Sequence, residues 1–400
     1  MTGLGAPPSS DVASPPLDRP RSRWPLLCWF ASSATLNVPQ ASAPVAFSLV
    51  ALSVMGDARG GAAMILAMTL AQVVGAIPIT RLGRNRSAAT FLRLLVAFRT
   101  LALAAVVLCA HYQAPFALLV AFAAVAGLVN GAASGYLRAL LNHFTPASHL
   151  PRTLGIAATL NELTFVLGPV LASALGAVSP VFALLALTLL GAIPALLVPQ
   201  AGKSHVEDAP HAEGSVLSPS ILLWLVCAAA GSSTVAAIEI GAVALALKFG
   251  YPPTLAILFT VPLCLASVAG GIWVSVRNRT VSDRAVVLLL GVVTFGAALT
   301  ALGPSLETTV AGAILIGLVL APLGTYYSLV LDRLAPPRRR PEVFALLRTS
   351  SALGIIFASA VLTAASLSSA LIVVTATMFA VTLTVGVATL RRRTGAVNQA

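Results

Sequence analysis

The chain has 400 residues, of which 58% are hydrophobic and only 9% are charged, and its mean hydropathy is +0.96. Soluble domains carry about 25% charged residues, so this chain cannot cover a water-facing surface and we expect lipid to be its solvent. Backbone polar groups in lipid must be satisfied internally, and the long, non-alternating apolar runs favour helices over a β-barrel. The net charge of +12 comes mainly from arginines in short clusters between these runs, a distribution that is typical of membrane loops and argues against nucleic-acid binding.

The N-terminal region leads into an apolar stretch with two competing interpretations. Residues 1–23 are rich in Pro, Ser, Asp and Arg and are predicted to form a disordered cytoplasmic tail. Arg21 and Arg23 then precede an apolar segment that reaches Ala43, which has the pattern of a signal peptide. Apolarity continues to Met55, however, so the segment is long enough to stay in the membrane as the first helix.

Uncharged stretches along the chain predict twelve membrane-spanning helices, numbered 1 to 12 in chain order. Their predicted bounds are residues 24–56, 60–80, 87–110, 116–142, 153–176, 180–198, 221–247, 254–276, 285–303, 308–331, 342–365 and 368–390. The polar segment between Gln200 and Ser220 predicts a linker between two halves. The predicted parts of this all-α membrane protein are a disordered tail (1–23), an N-terminal six-helix bundle (24–198), a cytoplasmic linker (199–220), a C-terminal six-helix bundle (221–390) and a basic cytoplasmic tail (391–400).

The distribution of Arg and Lys predicts the orientation of these helices. If both termini lie on one side of the membrane, 18 of the 24 basic residues fall on that side, four lie within helices, and only Arg59 and Lys248 fall on the other side. Cytoplasmic loops carry the excess of Lys and Arg, so we expect a multi-pass protein of the plasma or inner membrane with both termini in the cytoplasm.

The cysteines and histidines argue against a metal site or a disulfide framework. Each cysteine lies alone inside an apolar run, where a free Cys behaves as a small hydrophobic residue. The four are Cys28, Cys109, Cys227 and Cys264. The five histidines fall in predicted loops or at helix ends. No glycine-rich phosphate loop followed by Lys is present, so we expect neither ATP nor another cofactor, and no metal.

A weak internal repeat relates the two halves. Six residues of helix 4 and the loop after it recur 190 positions later in helix 10 and its loop. Gly127-Leu128-Val129, Tyr136, Leu141 and Pro146 match Gly317-Leu318-Val319, Tyr326, Leu331 and Pro336. Gly75 and Ile77 likewise match Gly270 and Ile272. Parallel six-helix repeats predict two pseudo-symmetric bundles with the substrate site between them.

The loop between helices 2 and 3 carries the motif of a transporter family. Residues 76–85 read A-I-P-I-T-R-L-G-R-N, and Arg81, Gly83 and Arg84 match the pattern G-x-x-x-D-R-x-G-R-[RK] of the major facilitator superfamily. Thr80 stands where the family has an Asp, so the resemblance does not carry the family's charge latch between the halves over to this residue.

Helix 5 carries a second, degenerate motif. Gly155, Gly168 and Pro169 match the pattern G-x8-G-x3-G-P-x2-G-G of the family's proton-driven exporters, and small residues stand at several of the other positions. Together with the helix count and the repeat, these motifs make the chain resemble the major facilitator superfamily over nearly its whole length. The resemblance implies alternating access between two six-helix bundles and export of drug-like molecules or metabolites.

Three charged residues near the middle of predicted helices are candidates for the substrate or proton pathway. Glu162 in helix 5 and Glu239 in helix 7 must be protonated, paired or facing water, because a carboxylate in lipid is costly. We expect Glu239 to couple protons, since helix 7 lines the central cavity of the resembled family, whereas the face of Glu162 favours a structural role. Arg99 in helix 3 has either a buried partner such as Glu162 or an anionic substrate. Three arginines nearer the cytoplasmic face are interpreted as snorkelling or interface residues: Arg93, Arg138 and Arg348.

Polar stripes on two helices predict surfaces that face protein or water rather than lipid. The stripe on helix 1 consists of Ser33, Asn37, Gln40 and Pro44, and the stripe on helix 4 consists of Asn130, Ser134 and Arg138. A substrate pathway and plain helix–helix hydrogen bonding are equal alternatives here. Ser232, on the same face of helix 7 as Glu239, and Tyr326 on helix 10 complete the candidates, although an interfacial aromatic belt is the alternative for the tyrosine.

These features predict a secondary active transporter, specifically a proton-coupled exporter of small drug-like molecules or metabolites. A metabolite importer or symporter on the same fold is the alternative. A membrane enzyme or a receptor is a further alternative, but it would need a catalytic cluster in a sizeable loop or an appended soluble domain. The expected partners are a small-molecule substrate, protons and the lipid bilayer, and the protein is expected to be a monomer that binds no nucleic acid.

Overall fold

The protein, described by a computed structural model over residues 24–56, 59–199, 218–251, 253–278 and 282–397, is an all-helical membrane protein. Twelve helices in this part of the chain are long and apolar enough to cross a membrane. In chain order they are Trp24–Leu36 with Val38–Met55 (helix 1), Arg59–Leu82 (helix 2), Ala88–His111 (helix 3), Phe116–Leu128 with Asn130–Phe144 (helix 4), Leu150–Gly176 (helix 5), Pro180–Leu197 (helix 6), Pro219–Lys248 (helix 7), Ile257–Arg277 (helix 8), Asp283–Leu302 (helix 9), Leu306–Leu334 (helix 10), Arg340–Ala364 (helix 11) and Leu367–Val397 (helix 12).

The predicted fold class and the twelve predicted helices are confirmed, with small differences at their ends. Helix 12 continues to Val397, through residues that were predicted to form a tail. The predicted N-terminal tail and most of the predicted linker lie outside the described residues, so their structure stays a prediction.

Helices 1 and 4 are each interrupted near the middle. Helix 1 breaks at Asn37, two residues before Pro39, whose ring lacks the N–H that would continue the hydrogen-bond ladder. Helix 4 breaks at Val129, directly after Gly127 and Leu128 at a close contact with helix 2. Both breaks lie inside the first bundle, where they present backbone groups to neighbouring helices.

Equivalent glycines make the same contact in each bundle. Gly75 of helix 2 packs so closely on the Leu128 carbonyl of helix 4 that a Cβ would collide with it. Gly270 of helix 8 makes the same contact with the Leu318 carbonyl of helix 10. These are residues that the sequence repeat paired, so the two bundles are pseudo-symmetric at this helix–helix contact.

The two bundles meet at one end of the molecule, which we call the basic face. This end carries the start of helix 1, the end of helix 12 and the loops that follow helices 2, 4, 8 and 10. Helix 5 packs against helix 8, and helix 11 packs against helices 2 and 4. Asn278, which ends helix 8 in the left-handed conformation (φ 43°), accepts a hydrogen bond from the Arg152 N–H and donates one to the Ser148 carbonyl, both at 3.0 Å. Such contacts close the space between the bundles at the basic face.

Candidate substrate-binding cavity

A cavity of about 320 Å³ lies between the two bundles, on the inner side of the closed basic face. Helices 1, 4 and 5 contribute one wall, and helices 10 and 11 contribute the other. The lining residues are Trp29, Ser33, Asn37, Ser134, Arg138, Leu154, Ala157, Ala158, Asn161, Gly324, Thr325, Ser328, Phe344, Leu347, Arg348 and Ser351. A cavity of this size, with apolar walls and a few polar groups, has the character of a small-molecule site.

The polar stripe of helix 1 contributes directly to this cavity. Asn37 lines it and donates a hydrogen bond of 2.9 Å from its amide to the Oδ1 of Asn161 on helix 5, which is also in the wall. Gln40, one turn further on, accepts a hydrogen bond of 3.0 Å from the guanidinium of Arg348 on helix 11. Ser33 and Asn37 of the helix 1 stripe therefore line the cavity, Gln40 reaches across to the second bundle, and Pro44 is exposed.

Arg138 projects from helix 4 into the same cavity. Its guanidinium lies 4.5 Å from the centre of the Phe344 ring on helix 11, and donates hydrogen bonds to Asn142 (3.1 Å) and, at the longer distance of 3.5 Å, to the Ser328 hydroxyl. Asp332 lies within electrostatic range. It accepts a 2.6 Å hydrogen bond from Asn142 and forms an ion pair of 3.4 Å with Arg340.

The interpretation of Arg138 and Arg348 as snorkelling or interface residues is wrong in its main point, because both line the cavity. Arg348 could not be identified as a lining residue from the sequence, because the distance of a side chain from the end of its helix does not show which helices face each other. For Arg138, the polar stripe that it shares with Ser134 had already left a substrate pathway open as an alternative, and both residues line the cavity. Arg93 does lie near a helix end, where it donates a 2.6 Å hydrogen bond to the Val198 carbonyl.

Arg99 is buried against protein, with 4% of its surface exposed, and outside the cavity. Its guanidinium donates hydrogen bonds to the carbonyls of Leu36 (2.8 Å) and Gly191 (2.7 Å), and a longer one of 3.4 Å to the Oδ1 of Asn130. Leu36 ends the first segment of helix 1 and Asn130 begins the second segment of helix 4, so Arg99 fastens both breaks. The expected buried partner is therefore present, but it consists of these oxygens and not of the Glu162 carboxylate; one of them, the Leu36 carbonyl, lies at the break of helix 1, where a helix leaves carbonyls that a guanidinium can satisfy.

Glu162 of helix 5 and Glu239 of helix 7 belong to different bundles. Glu162 is half-buried, Glu239 is exposed, and their carboxyls are close enough for their charges to interact. Cys264 of helix 8 lies within electrostatic range of both. The Ser267 hydroxyl, 0% exposed, lies near the Glu162 carboxyl but outside the geometry of a formed hydrogen bond. The two carboxyls that the sequence singled out therefore lie within electrostatic range of each other, although neither is among the residues that line the cavity.

The remaining candidates take packing positions in the structure. Tyr326 is buried, and its ring meets that of Trp224 edge to face with centroids 5.1 Å apart, which places it in the core of the second bundle. Ser232 is half-buried on helix 7 and does not line the cavity. In the helix 5 motif, Gly155 lets helix 5 approach the backbone of helix 8, and Gly168 does the same for helix 1. Pro169 lies inside helix 5, which continues beyond it to Gly176.

The loop motif forms an ion pair between the bundles in spite of its missing Asp. Arg81 lies 3.6 Å from the carboxylate of Glu342, which is 2% exposed at the start of helix 11. Glu342 also pairs with Arg339 at 3.5 Å. Gly83 is packed so closely on the Phe91 ring that a side chain would collide with it. Arg84 stays exposed at the basic face, beside a second cleft.

In the described part of the chain, no three His, Cys, Asp or Glu side chains come together as a metal site would require. The candidate site consists of the polar cavity and the two carboxyls of Glu162 and Glu239.

Twelve membrane helices in two pseudo-symmetric bundles, with a polar cavity between them, define the fold of a secondary transporter. The chain matches the family model of the Major Facilitator Superfamily over residues 30–359 and belongs to this family. Its members bind small molecules, and some of them couple transport to protons. Comparison with curated proteins by sequence gives no match.

Solved structures with the same fold share little sequence with the chain. A bacterial homologue of the iron transporter ferroportin, in an outward-facing state, has a TM-score of 0.73 and 15% identity, covering 90% of this chain and 97% of that one. The human organic anion transporter MFSD10 has a TM-score of 0.70 and 15% identity, covering 92% and 100%. The fucose:proton symporter FucP of E. coli has a TM-score of 0.69 and 13% identity, covering 90% and 97%. Identities this low establish the fold alone.

Proposed function

We propose that the protein is a secondary active transporter that exports small molecules by alternating access in exchange for protons. It acts as a monomer in the cell membrane, with both termini and the basic face in the cytoplasm. The observation that carries the proposal is the polar cavity between the bundles, closed at the basic face by contacts that cross from one bundle to the other. With the basic face inside the cell, this arrangement is the outward-facing state of the cycle.

The closing contacts are of a kind that a transport cycle can break and remake. The ion pair between Arg81 and Glu342 and the hydrogen bonds of Asn278 lie at or near the basic face and join the bundles through a few polar groups. A partly exposed ion pair contributes about 0.2–1 kcal/mol, and a neutral hydrogen bond about 0.5–1.5 kcal/mol. A bound ligand with a modest preference for one state is enough to shift such an equilibrium.

The carboxyl pair supports coupling to protons. A carboxylate near the middle of the membrane costs about 2.5–3.5 kcal/mol on insertion scales, and a second one close by adds repulsion. Binding of one proton neutralises one of the two carboxylates and removes the repulsion between them, so Glu162 and Glu239 form a protonatable unit between the bundles. Entry of a proton from outside would neutralise Glu239 and favour release of the substrate.

Proton exchange in proteoliposomes tests this function. The purified protein is reconstituted with a pH-sensitive dye in the lumen, and a panel of drug-like compounds and metabolites is added under an imposed pH gradient. We expect compounds that are transported to move protons in the opposite direction. Glu239→Gln should abolish the dependence on the gradient while the protein stays folded, and Glu307→Gln, at the exposed start of helix 10, should not.

Each component of the proposal has its own contrary result. If protons move in the same direction as the compound, the protein is a symporter and not an exporter that exchanges its substrate for protons. If transport does not depend on pH, it is not coupled to protons. If Glu239→Gln keeps the pH dependence of the unmodified protein, the coupling role of Glu239 is wrong, and Glu162→Gln is the next variant.

A further inference from the structure

The charge of the cavity is one-sided. Its lining contains two guanidinium groups, Arg138 from the first bundle and Arg348 from the second, and among the described lining residues there is no Asp or Glu. The other polar groups are neutral amides and hydroxyls, such as those of Asn37 and Ser351. The site where a substrate would lie is therefore positive and carries two groups that bind planar anions through paired hydrogen bonds.

Protein partners leave much of this charge uncompensated. The hydrogen bond described for Arg348 goes to the neutral amide oxygen of Gln40. Arg138 lies near Asp332, but that carboxylate is shared with Arg340 and already accepts a hydrogen bond from the Asn142 side chain. A cation held away from bulk water without an acid is costly, so an anion that enters the cavity gains the interaction that the protein lacks.

The walls beside the arginines suit an organic anion rather than a bare inorganic one. The Phe344 ring lies against one face of the Arg138 guanidinium at 4.5 Å and restricts its orientation. Trp29, Leu154 and Leu347 add an apolar surface next to the charged groups. The volume of about 320 Å³ accommodates a body of one or two rings.

From this arrangement we infer that the substrate is an organic anion, with a carboxylate or a similar group bound between Arg138 and Arg348 and an apolar body against Trp29 and Phe344. The inference rests on the proposed function, in which this cavity is the substrate site. Since the two arginines belong to different bundles, an anion that engages both favours the arrangement in which the bundles stay close at this level.

Matched ligands that differ only in charge test the inference on the full-length protein in detergent. The probes are benzoate, phenylacetate and 2-naphthoate, each compared with its neutral amide and its cationic amidine. Dissociation constants come from titration calorimetry, and thermal stabilisation is the second readout. We expect the carboxylates to bind at least about 10-fold more tightly than the amides, since hydrogen bonds to charged groups are the stronger ones.

Variants separate an anion site from a contact that merely holds the bundles together. Arg348→Gln should weaken carboxylate binding about 10-fold or more and leave amide binding within about 2-fold, and Arg348→Lys should fall between the two. Gln40→Leu removes the hydrogen bond across the bundles but keeps the charge, so it should keep the preference for anions. Arg93→Gln, outside the cavity, is the control for loss of an arginine as such.

Carboxylates that bind no better than their amides, or not at all, would overturn the inference, as would an unchanged preference in Arg348→Gln. Loss of the preference in Gln40→Leu would also overturn it, because the arginine would then act through the contact and not through its charge. Binding is measured without a gradient, so these outcomes are independent of the proton exchange that tests the proposed function.

Discussion

Arg99 offers the sharpest test of whether a buried charge in this protein is structural or functional. Its guanidinium satisfies the carbonyls of Leu36 and Gly191 at 2.8 and 2.7 Å, at the break of helix 1 and on helix 6. Arg99→Met keeps a long apolar side chain but removes both donors. Each buried carbonyl left without a partner costs about 1–3 kcal/mol, so the two together cost about 2–6 kcal/mol.

One term reduces this loss. The Nε of Arg99 is itself buried without a hydrogen-bond partner, so its removal recovers a fraction of the cost. We therefore expect Arg99→Met to lower the free energy of unfolding by about 2–5 kcal/mol. Arg93→Met is the matched control on the same helix, since Arg93 is half-buried and satisfies a single carbonyl, that of Val198. We expect it to cost only about 1 kcal/mol.

Unfolding in mixed micelles, with increasing fractions of a denaturing detergent, measures both variants against the unmodified protein. Carboxylate binding is measured on the same samples under conditions where each variant remains folded. The structural reasoning predicts a large loss of stability for Arg99→Met and retained binding by the folded fraction. A variant with normal stability but no binding would refute it and would return Arg99 to the substrate pathway.

Three further predictions follow from the packing, the closed face and the charge distribution. Gly270→Ala should lower the free energy of unfolding by about 1–3 kcal/mol, because the new Cβ would collide with the backbone of helix 10. Gly291→Ala, where a Cβ meets open space, should be neutral or slightly stabilising, and equal effects of the two variants on unfolding would contradict this contact. Glu342→Gln should break the ion pair with Arg81 and lengthen the distances between spin labels placed on the two bundles across the basic face. Unchanged distances would show that this ion pair does not hold the bundles together. A reporter fused after Ala400 should be active only in the cytoplasm, and activity only outside the cell would end the proposed orientation.

Hydropathy and charge predicted the fold because the membrane imposes a simple rule on each segment by itself. A stretch that crosses lipid must be apolar and helical whatever its neighbours are, so local composition locates twelve helices. The repeat added the pairing of Gly75 with Gly270, since close approach of two helices requires glycine at the same place in each bundle. Glu162 and Glu239 could be identified as candidates from the sequence, because a carboxylate inside a membrane-spanning helix is costly unless it is protonated, paired or facing water.

The partners of the polar groups could not be predicted in this way. Gln40 and Arg348 are 308 positions apart in the sequence, and Asn37 and Asn161 are 124 apart. Nothing in either local segment specifies the other, since the contact depends on which helix faces travel together when the bundles close. The same reason explains why the sequence assigned an anion to Arg99 as one alternative, whereas the cavity holds Arg138 and Arg348 instead.

The sequence by itself thus determined that the chain is embedded in a lipid bilayer, how many times it crosses the bilayer, and which charged residues within the helices require an explanation. Only the tertiary structure decided that Arg99 donates hydrogen bonds to residues at the breaks of helices 1 and 4, while Arg138 and Arg348 line a shared cavity. The physical reason is that solvation acts on each segment separately, whereas a binding site exists only where side chains from different helices converge.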